Sequence, residues 1–335
     1  MRARSDVTVE IRSIQGQLLG MRILLVVVAV GLLSGWVVRA EEAPPRNPAV
    51  SPALQKLMDE DDQAREDVEK WSEEANHPVN PETAPLKVTL QKKIDDRLRA
   101  VRSGYEEFLK REPTNAPAHL AYGSFLGDMG EEDGMVEHWE KARELDPSNP
   151  AAWNNLAGHF AHKGPIEKAF PYYEKAIALN PKESQYWHTL GTVVFLFRKD
   201  AQERYHTNEQ GVFAKALDLY AHAMELDSTN FILASDIAQT YYGIKPALAT
   251  NEEGKRLAEN RLTQQALGAW TNAWKLVGGP IEDQGVKIHV ARWKLREKRF
   301  QEARDLLTGV TNDVYLEVRR RIERNIAEKE REMLK

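Results

Sequence analysis

The sequence predicts an all-α fold, a right-handed solenoid of stacked helix-turn-helix repeats. Three observations carry that prediction. Pro113, Pro147 and Pro181 are spaced 34 residues apart twice over, and a fixed period of this length means supersecondary units that bury their apolar faces only by stacking. Within each period, apolar and small residues recur at helical spacing: Trp153, Leu156, Ala157 and Phe160, then Ala169, Tyr173 and Ala176. Asp146-Pro147 and Asn180-Pro181 close the units, because proline cannot continue a helix and biases its predecessor out of the helical region.

The totals suit such a fold. The chain has 335 residues, 42% hydrophobic and 29% charged, with a formal net charge of −5. Of the 46 basic and 51 acidic residues, five and two lie in residues 1–40, which leaves −8 for the remainder. That balance lacks the basic footprint of a general nucleic-acid binder. There is no cysteine, which removes disulfides, thiolate metal sites and thiol catalysis and fits any compartment.

Ile23 to Val38 is an almost continuous apolar run between Arg22 and Val38-Arg39-Ala40. A positive flank, an apolar core and small residues at the cleavage positions describe a secretory signal. Sixteen residues, interrupted by Gly31, Ser34, Gly35 and Trp36, fall short of the roughly 20 that a spanning helix needs. Cleavage after Ala40 is expected, giving an exported, periplasmic or secreted protein of a bacterial cell. The alternative is an uncleaved inner-membrane anchor over Ile23–Val38, the one way this chain would touch a membrane. Met21-Arg22 makes a normal signal start, so translation from Met21 rather than Met1 is expected.

Residues 41–85 read as a linker and an acidic helix. Four prolines in 41–52 give no periodic pattern, then Ser51-Pro52 opens a helix from Ala53 to about Asn76, serine being a good N-cap and proline tolerated in the first turn. Asp59 to Asp62, Glu66, Asp67 and Glu69 dominate it, so loose docking is expected. Val101, Tyr105, Phe108 and Pro113 match only the second helix of a unit, which makes residues 86–115 a half-repeat or N-terminal cap.

Units follow at 116–149, 150–183, 184–230, 231–280 and 284–317. The first carries His119, Tyr122, Gly123 and Leu126, then Met135, Trp139, Ala142 and Pro147. The third carries Trp187, Leu190, Gly191 and Val194, then Ala216, Tyr220 and Ala223, with 13 extra residues between its helices. The fourth carries Ala234, Ile237, Ala238 and Tyr241, then Ala266, Trp270 and Ala273, with 16 extra. The fifth is degenerate: Val290, Ala291 and Lys294, then Ala303, Leu307 and Val310. Trp139, Trp153, Leu156, Tyr173, Trp187, Tyr220 and Trp270 are the expected packing residues between helices. Trp153 is expected to be buried, with a cost of about 3–5 kcal/mol on truncation to alanine. From Asn312 to about Leu334 one polar helix carries Val314, Val318, Ile322 and Ile326 on a stripe, and residues 318–335 are read as a capping helix with one apolar and one solvated face.

These residues resemble the tetratricopeptide repeat family. Its pattern W-x2-L-G-x2-Y then A-x3-F-x2-A-x4-P appears as Trp153-x2-Leu156-Ala157-x2-Phe160 and Ala169-x3-Tyr173-x2-Ala176-x4-Pro181. The resemblance covers roughly residues 86–317. Ala157 and Ala238 stand where glycine is usual, and Lys294 stands where an aromatic is expected.

The resemblance implies a groove lined by the first helices, holding a protein or peptide partner. Its positions here are Leu120 and Ser124, Asn154, Asn155 and Gly158, His188, Thr189 and Thr192, and Ser235, Asp236 and Gln239. Some relatives grip a partner's terminal carboxylate with a Lys/Asn/Arg clamp. Leu120, Ser124, Asn155, Gln185 and Thr189 occupy those positions, and only Asn155 fits, so no clamp is expected.

Other chemistry finds little support. His159 and His162 lie three apart on one helix, and His138, His188, His206, His222 and His289 are scattered, with no HExxH-type pair. GxSxG, GxxxxGK[ST] and GxGxxG are all missing. No metal, cofactor or catalytic residue is expected. The insertions Phe197–Phe213 and Gly243–Asn260 fall at equivalent turns of adjacent units, where they would form a ledge on one edge. The expected function is therefore an exported, non-catalytic scaffold or adaptor. A structural subunit of a cell-envelope or secretion assembly is the alternative, and a small-ligand binder comes third.

Overall fold

The computed structural model describes residues 50–76 and 87–334. The expected signal segment at 1–40, the linker at 41–49 and the proline-rich break at 77–86 lie outside the described residues. Within them the chain folds as fourteen helices and no strand.

The chain begins with α1 (Pro52–Asn76) and α2 (Lys87–Arg111). The Ser51 hydroxyl caps α1 by accepting the Leu54 amide at 3.2 Å. Arg97 meets Asp67 at 2.9 Å, and Tyr105 meets Asp61 at 2.9 Å, a pairing order that makes the two helices antiparallel. The acidic helix is therefore docked, contrary to the loose association expected, and α2 has the first helix that a half-repeat would lack. Leu54, Leu57 and Ala64 are buried. So is Asp61, at 3% exposure, where the Tyr105 hydroxyl and the Arg65 guanidinium, at 3.1 Å, supply its donors. Arg65 also reaches Asp128 of the next helix at 3.1 Å. Burial still raises the Asp61 pKa above its ordinary value, the arginine opposing it.

The repeats are α3 (Ala116–Asp128) with α4 (Glu132–Leu145), α5 (Pro150–Lys163) with α6 (Ile166–Leu179), and α7 (Ser184–Leu196) with α9 (Glu209–Leu226). A short α8 (Arg198–Tyr205) intervenes in the third. Then come α10 (Phe231–Thr240) with α11 (Glu252–Lys275), α12 (Pro280–Arg296) with α13 (Phe300–Thr308), and finally α14 (Asp313–Met333).

A common joint explains the period. Asn115, Asn149, Glu183 and Asn230 each accept an amide of the first turn of the following helix, at 3.0 to 3.3 Å. At three of these four joints a ring six residues after the proline bolts the turn. The Trp153 indole N–H donates to the Pro147 carbonyl at 3.0 Å, and Trp187 does the same to Pro181 at 2.9 Å. His119 lies in the same place, 3.1 Å from the Pro113 carbonyl. The proline ends one helix, and the side chain six residues on satisfies a carbonyl that the ended helix leaves free. Trp139, Trp153 and Trp187 are accordingly half-buried at the edge of the core, whereas Leu156, Tyr173, Tyr220 and Trp270 are buried. The full burial expected of Trp153 does not hold, because its indole spans the joint instead of entering the core.

Small residues set the helix separation. A Cβ on Gly123 would stand 2.6 Å from Trp139, and one on Gly191 2.7 Å from Tyr220, so glycine lets these second-helix rings lie directly on the first helix.

The fifth unit is a formed hairpin despite its degenerate sequence, and it starts at Pro280, which opens α12 as well as following the end of α11. Lys294, in the aromatic position of α12, carries its ammonium across to Glu302 of α13 at 3.1 Å. On α14 the buried stripe is Tyr315, Val318, Ile322 and Ile326. Val314 is exposed: the chain enters this helix through the Asn312 cap, and the turn presents Tyr315 to the fifth unit, its hydroxyl close to Gly285.

The insertions differ from a side-by-side ledge. α8 leans on the preceding repeat, where Tyr205 donates to Glu174 of α6 at 3.0 Å and packs against Phe170. The start of the second insertion is tied to α9: Gln210 donates to the Gly243 carbonyl at 3.2 Å and accepts from the Lys245 amide at 2.8 Å. Each insertion thus braces the unit before it. No helix among the described residues is long and apolar enough to cross a membrane.

Candidate functional site

The first helices of the repeats present one row of equivalent positions. Ser124, Gly158, Thr192 and Gln239 occupy the same register in α3, α5, α7 and α10. The tip of a second-helix aromatic meets three of them. Trp139 donates its indole N–H to Ser124 Oγ at 3.3 Å. The Tyr220 hydroxyl donates to Thr192 Oγ1 at 3.3 Å. The Tyr173 hydroxyl lies 3.6 Å from where a Cβ of Gly158 would sit. In these three repeats a second-helix ring ends in a polar atom beneath the first helix. Burial pushes the Tyr220 pKa well up, with Asp236 adding to it, so this phenol keeps its proton.

The neighbouring row is Asn154, His188 and Ser235, with Asn155 and Asp236 one residue on. His188 Nε2 stands 2.8 Å from Asp236 Oδ2, which joins α7 to α10 across two repeats, and the imidazole leans edge-on against Tyr220. Both partners are largely screened, at 12% and 17% side-chain exposure, so this contact clamps the solenoid where its longest insertions fall. Thr192 also donates back to the His188 carbonyl at 3.1 Å. Ser235 is buried.

Some polar groups in and beneath this face have no hydrogen-bond partner among the described residues. Asn154 Oδ1 is buried without a donor, and Trp270 Nε1 is buried without an acceptor. The half-buried Asn155 and Gln239 make no side-chain hydrogen bond among the described residues. A buried polar group left unpaired costs about 1–3 kcal/mol. This face therefore carries both donors and acceptors that an incoming polar group would satisfy.

The row continues into the fifth repeat, where sequence reasoning stopped. His289 and Arg292 hold the offsets of Asn155 and Gly158 relative to Val290 and Leu156. The His289 ring stacks on Trp270 at 4.1 Å and 7°. Its Nδ1 lies 3.1 Å from the Tyr242 hydroxyl, and Tyr242 stacks on Trp293. The signal was present in Val290-Ala291. Lys294 hid it, because a lysine in the aromatic position made the unit look incomplete.

Among the described residues the remaining histidines form no larger group. His119 Nδ1 lies 2.8 Å from His138 Nδ1, and burial together with His119 lowers the His138 pKa. Among the described residues no cluster of three or more His, Asp or Glu side chains gathers as a metal site requires. His159 pairs with Glu132 at 3.5 Å.

No family model matches the chain. The chain is 25% identical over 162 residues to the mouse (Mus musculus) mitochondrial import receptor subunit TOM70, a match covering 45% of this chain and 24% of TOM70. It is 23% identical over 145 residues to the small glutamine-rich tetratricopeptide repeat-containing protein 2 of Mycosarcoma maydis, covering 43% and 35%. The matched stretch is thus about a quarter to a third of the length of these relatives. Among solved structures, the C-terminal part of a tetratricopeptide-repeat-containing protein from Cytophaga hutchinsonii superposes with a TM-score of 0.50 at 14% identity, covering 79% of this chain and 97% of that one. That likeness speaks to the fold.

Proposed function

The chain is a tetratricopeptide-repeat protein, and we propose that the face of its first helices holds a protein or peptide partner in an exported, non-catalytic scaffold. Repeat proteins of this kind bind protein or peptide partners. The observation that carries the assignment of the face is the set of unpaired groups on the first helices: Asn154 Oδ1, Asn155 and Gln239. They offer amide donors and acceptors on one face without a concentrated charge. That chemistry suits the alternating N–H and C=O groups of a polypeptide better than a phosphate or a nucleic acid. The His188–Asp236 contact holds the two flanking repeats in register while the row is filled.

The test uses the full chain, tagged and cross-linked in its own host, beside the double variant Asn155→Glu with Gln239→Glu. Neither amide makes a side-chain hydrogen bond among the described residues, so the variant is expected to unfold at the same temperature as the parent. The partner recovered with the parent is expected to fall at least ten-fold with the variant. Equal recovery would move the partner off this face.

Export rests on the apolar run Ile23–Val38 and the Ala40 junction. The mature N-terminus is expected at Glu41, read by terminal-peptide mass spectrometry of the fractionated host. A peptide from residues 5–12 would rule out the start at Met21, and a cytoplasmic chain with residue 1 intact would overturn export.

A further inference from the structure

The second-helix side of the fifth repeat lacks something the second repeat has there. In repeat two, Trp153, Phe160 and Tyr172 pack edge to face, with ring centres 5.0 and 5.3 Å apart. The cluster fills the gap beside the preceding second helix, whose Arg143 lies 5.2 Å from the Trp153 ring. At the same register the fifth repeat has Lys287, Lys294 and Leu306. Trp274 of α11 takes the place of Arg143. All four line a cavity of about 760 Å³ between α11, α12 and α13. The cavity exists because three ring positions hold two lysines and a leucine, and its size falls within the about 300–1,000 Å³ of ordinary binding pockets.

Its electrostatics are set by the lysines. They lie seven residues apart on α12, two turns or about 10 Å. Each ammonium has three N–H donors. Lys287 pairs with Asp283 at 2.7 Å and Lys294 with Glu302 at 3.1 Å, which leaves donors on both. Arg299 adds a third cation to the lining, against the carboxylates of Glu302 and Asp305. The floor between the lysines is apolar, made by Leu306, Trp274 and their neighbours.

We propose that this cavity receives an aromatic side chain of a partner polypeptide, with carboxylates of the same segment on Lys287 and Lys294. The ring replaces the ones that the repeat itself does not supply, and the acidic flanks match the two ammonium groups. This surface is separate from the first-helix face and carries its own partner chemistry.

The probe is a fluorescein-labelled peptide, Gly-Asp-Glu-Trp-Glu-Asp-Gly, titrated by anisotropy against the full chain, beside the same peptide with Ala for Trp. The Trp peptide is expected to bind saturably, and the Ala peptide at least ten-fold more weakly. Gly268→Leu on α11 fills the cavity from its wall, where an added Cβ meets nothing within 4 Å and leucine suits a helix better than glycine. It is expected to weaken the Trp peptide at least ten-fold without lowering the unfolding temperature. Lys287→Gln with Lys294→Gln is expected to do the same and to remove the salt dependence. Asn155→Glu with Gln239→Glu leaves this binding unchanged, so the two surfaces fail separately. Absence of saturable binding, equal binding of both peptides, or indifference to Gly268→Leu would each sink the proposal. So would a cavity that takes anilinonaphthalene sulfonate in a Gly268-dependent way while ignoring both peptides, which would make it a small-molecule site.

Discussion

Truncation of Trp270 to alanine is expected to lower the stability of the chain by about 3 kcal/mol, at the lower end of the 3–5 kcal/mol typical of buried tryptophan. The ring is 2% exposed and sits among Ala238, Ala266, Leu267, Ala273, Val286, Val290 and Trp293, so it joins the fourth repeat to the fifth. It also stacks on His289. The small side chains around it cannot collapse into the space it leaves. What moderates the loss is the indole N–H, which is buried with no acceptor and whose removal relieves a cost of about 1–3 kcal/mol. Trp270→Phe separates the two effects, because it keeps most of the ring and discards the N–H. Urea unfolding should show Trp270→Phe losing under about 1 kcal/mol, the range of conservative core changes. A phenylalanine variant as unstable as the alanine one would mean that the N–H has an acceptor in solution. Trp153→Ala is the internal comparison. Half-buried and bonded to the Pro147 carbonyl, Trp153 should cost about 1–2 kcal/mol, one hydrogen bond plus partial burial.

This contrast bears on how much the sequence reveals. The period was legible because the joints reuse a few parts: Asn or Glu to cap the next helix and, at three of the four, proline to stop the last one and an indole or imidazole on the proline's carbonyl. Those parts are local in sequence, six residues from proline to tryptophan. Depth of burial was not legible, because Trp153 and Trp270 look equally apolar on paper, while one spans a joint and the other fills an interior. The same limit hid the docking of α1. Its anchors are Asp61 and Arg65, residues that composition assigns to the surface, and their partners Tyr105 and Asp128 lie 44 and 63 positions away. On α14 the four-residue spacing of Val314 to Ile326 fitted one stripe, yet helix entry turned the face by one residue to Tyr315.

The candidate face was legible as a row and not as a chemistry. Its register follows from the repeat, so Asn154, His188 and Ser235 could be aligned from the sequence. That His188 would reach Asp236, and that Asn155 and Gln239 would be left without partners, depends on how two insertions brace their neighbours. The fifth repeat was read only as a degenerate unit, and its part of the row was missed, for a related reason. Pattern matching scored Lys294 as a failed aromatic, whereas a lysine with a four-carbon stem and a partner at Glu302 completes the hairpin and leaves a cavity behind it.

Acid should loosen this end of the solenoid well above the range where carboxylates protonate. Burial, with Arg292 adding to it, lowers the His289 pKa from 6.5 to about 3. The surroundings explain the direction. The Tyr242 hydroxyl lies 3.1 Å from His289 Nδ1, a contact that a neutral imidazole accepts. One face of the ring is covered by Trp270, and the nearby charge is positive. A lowered pKa on a base means that the unfolded chain takes up the proton first. The stability that His289 contributes is therefore complete above pH 6.5 and is lost as pH falls toward 3, at about 1.4 kcal/mol per unit. From pH 7.5 to pH 5 the loss is about 2 kcal/mol, and across the whole window about 5 kcal/mol. His138, also lowered by burial, acts in the same direction. Asp61 and Asp128, both raised, act in the opposite one. His289→Phe keeps a ring on Trp270 and cannot titrate. Urea midpoints measured at pH 7.5, 6 and 5 should fall steeply for the parent and by clearly less for His289→Phe, with the remaining slope assigned to His138. Parallel curves would mean that His289 is charged in the folded chain, and that the fourth and fifth repeats part in solution far enough to admit water to its ring.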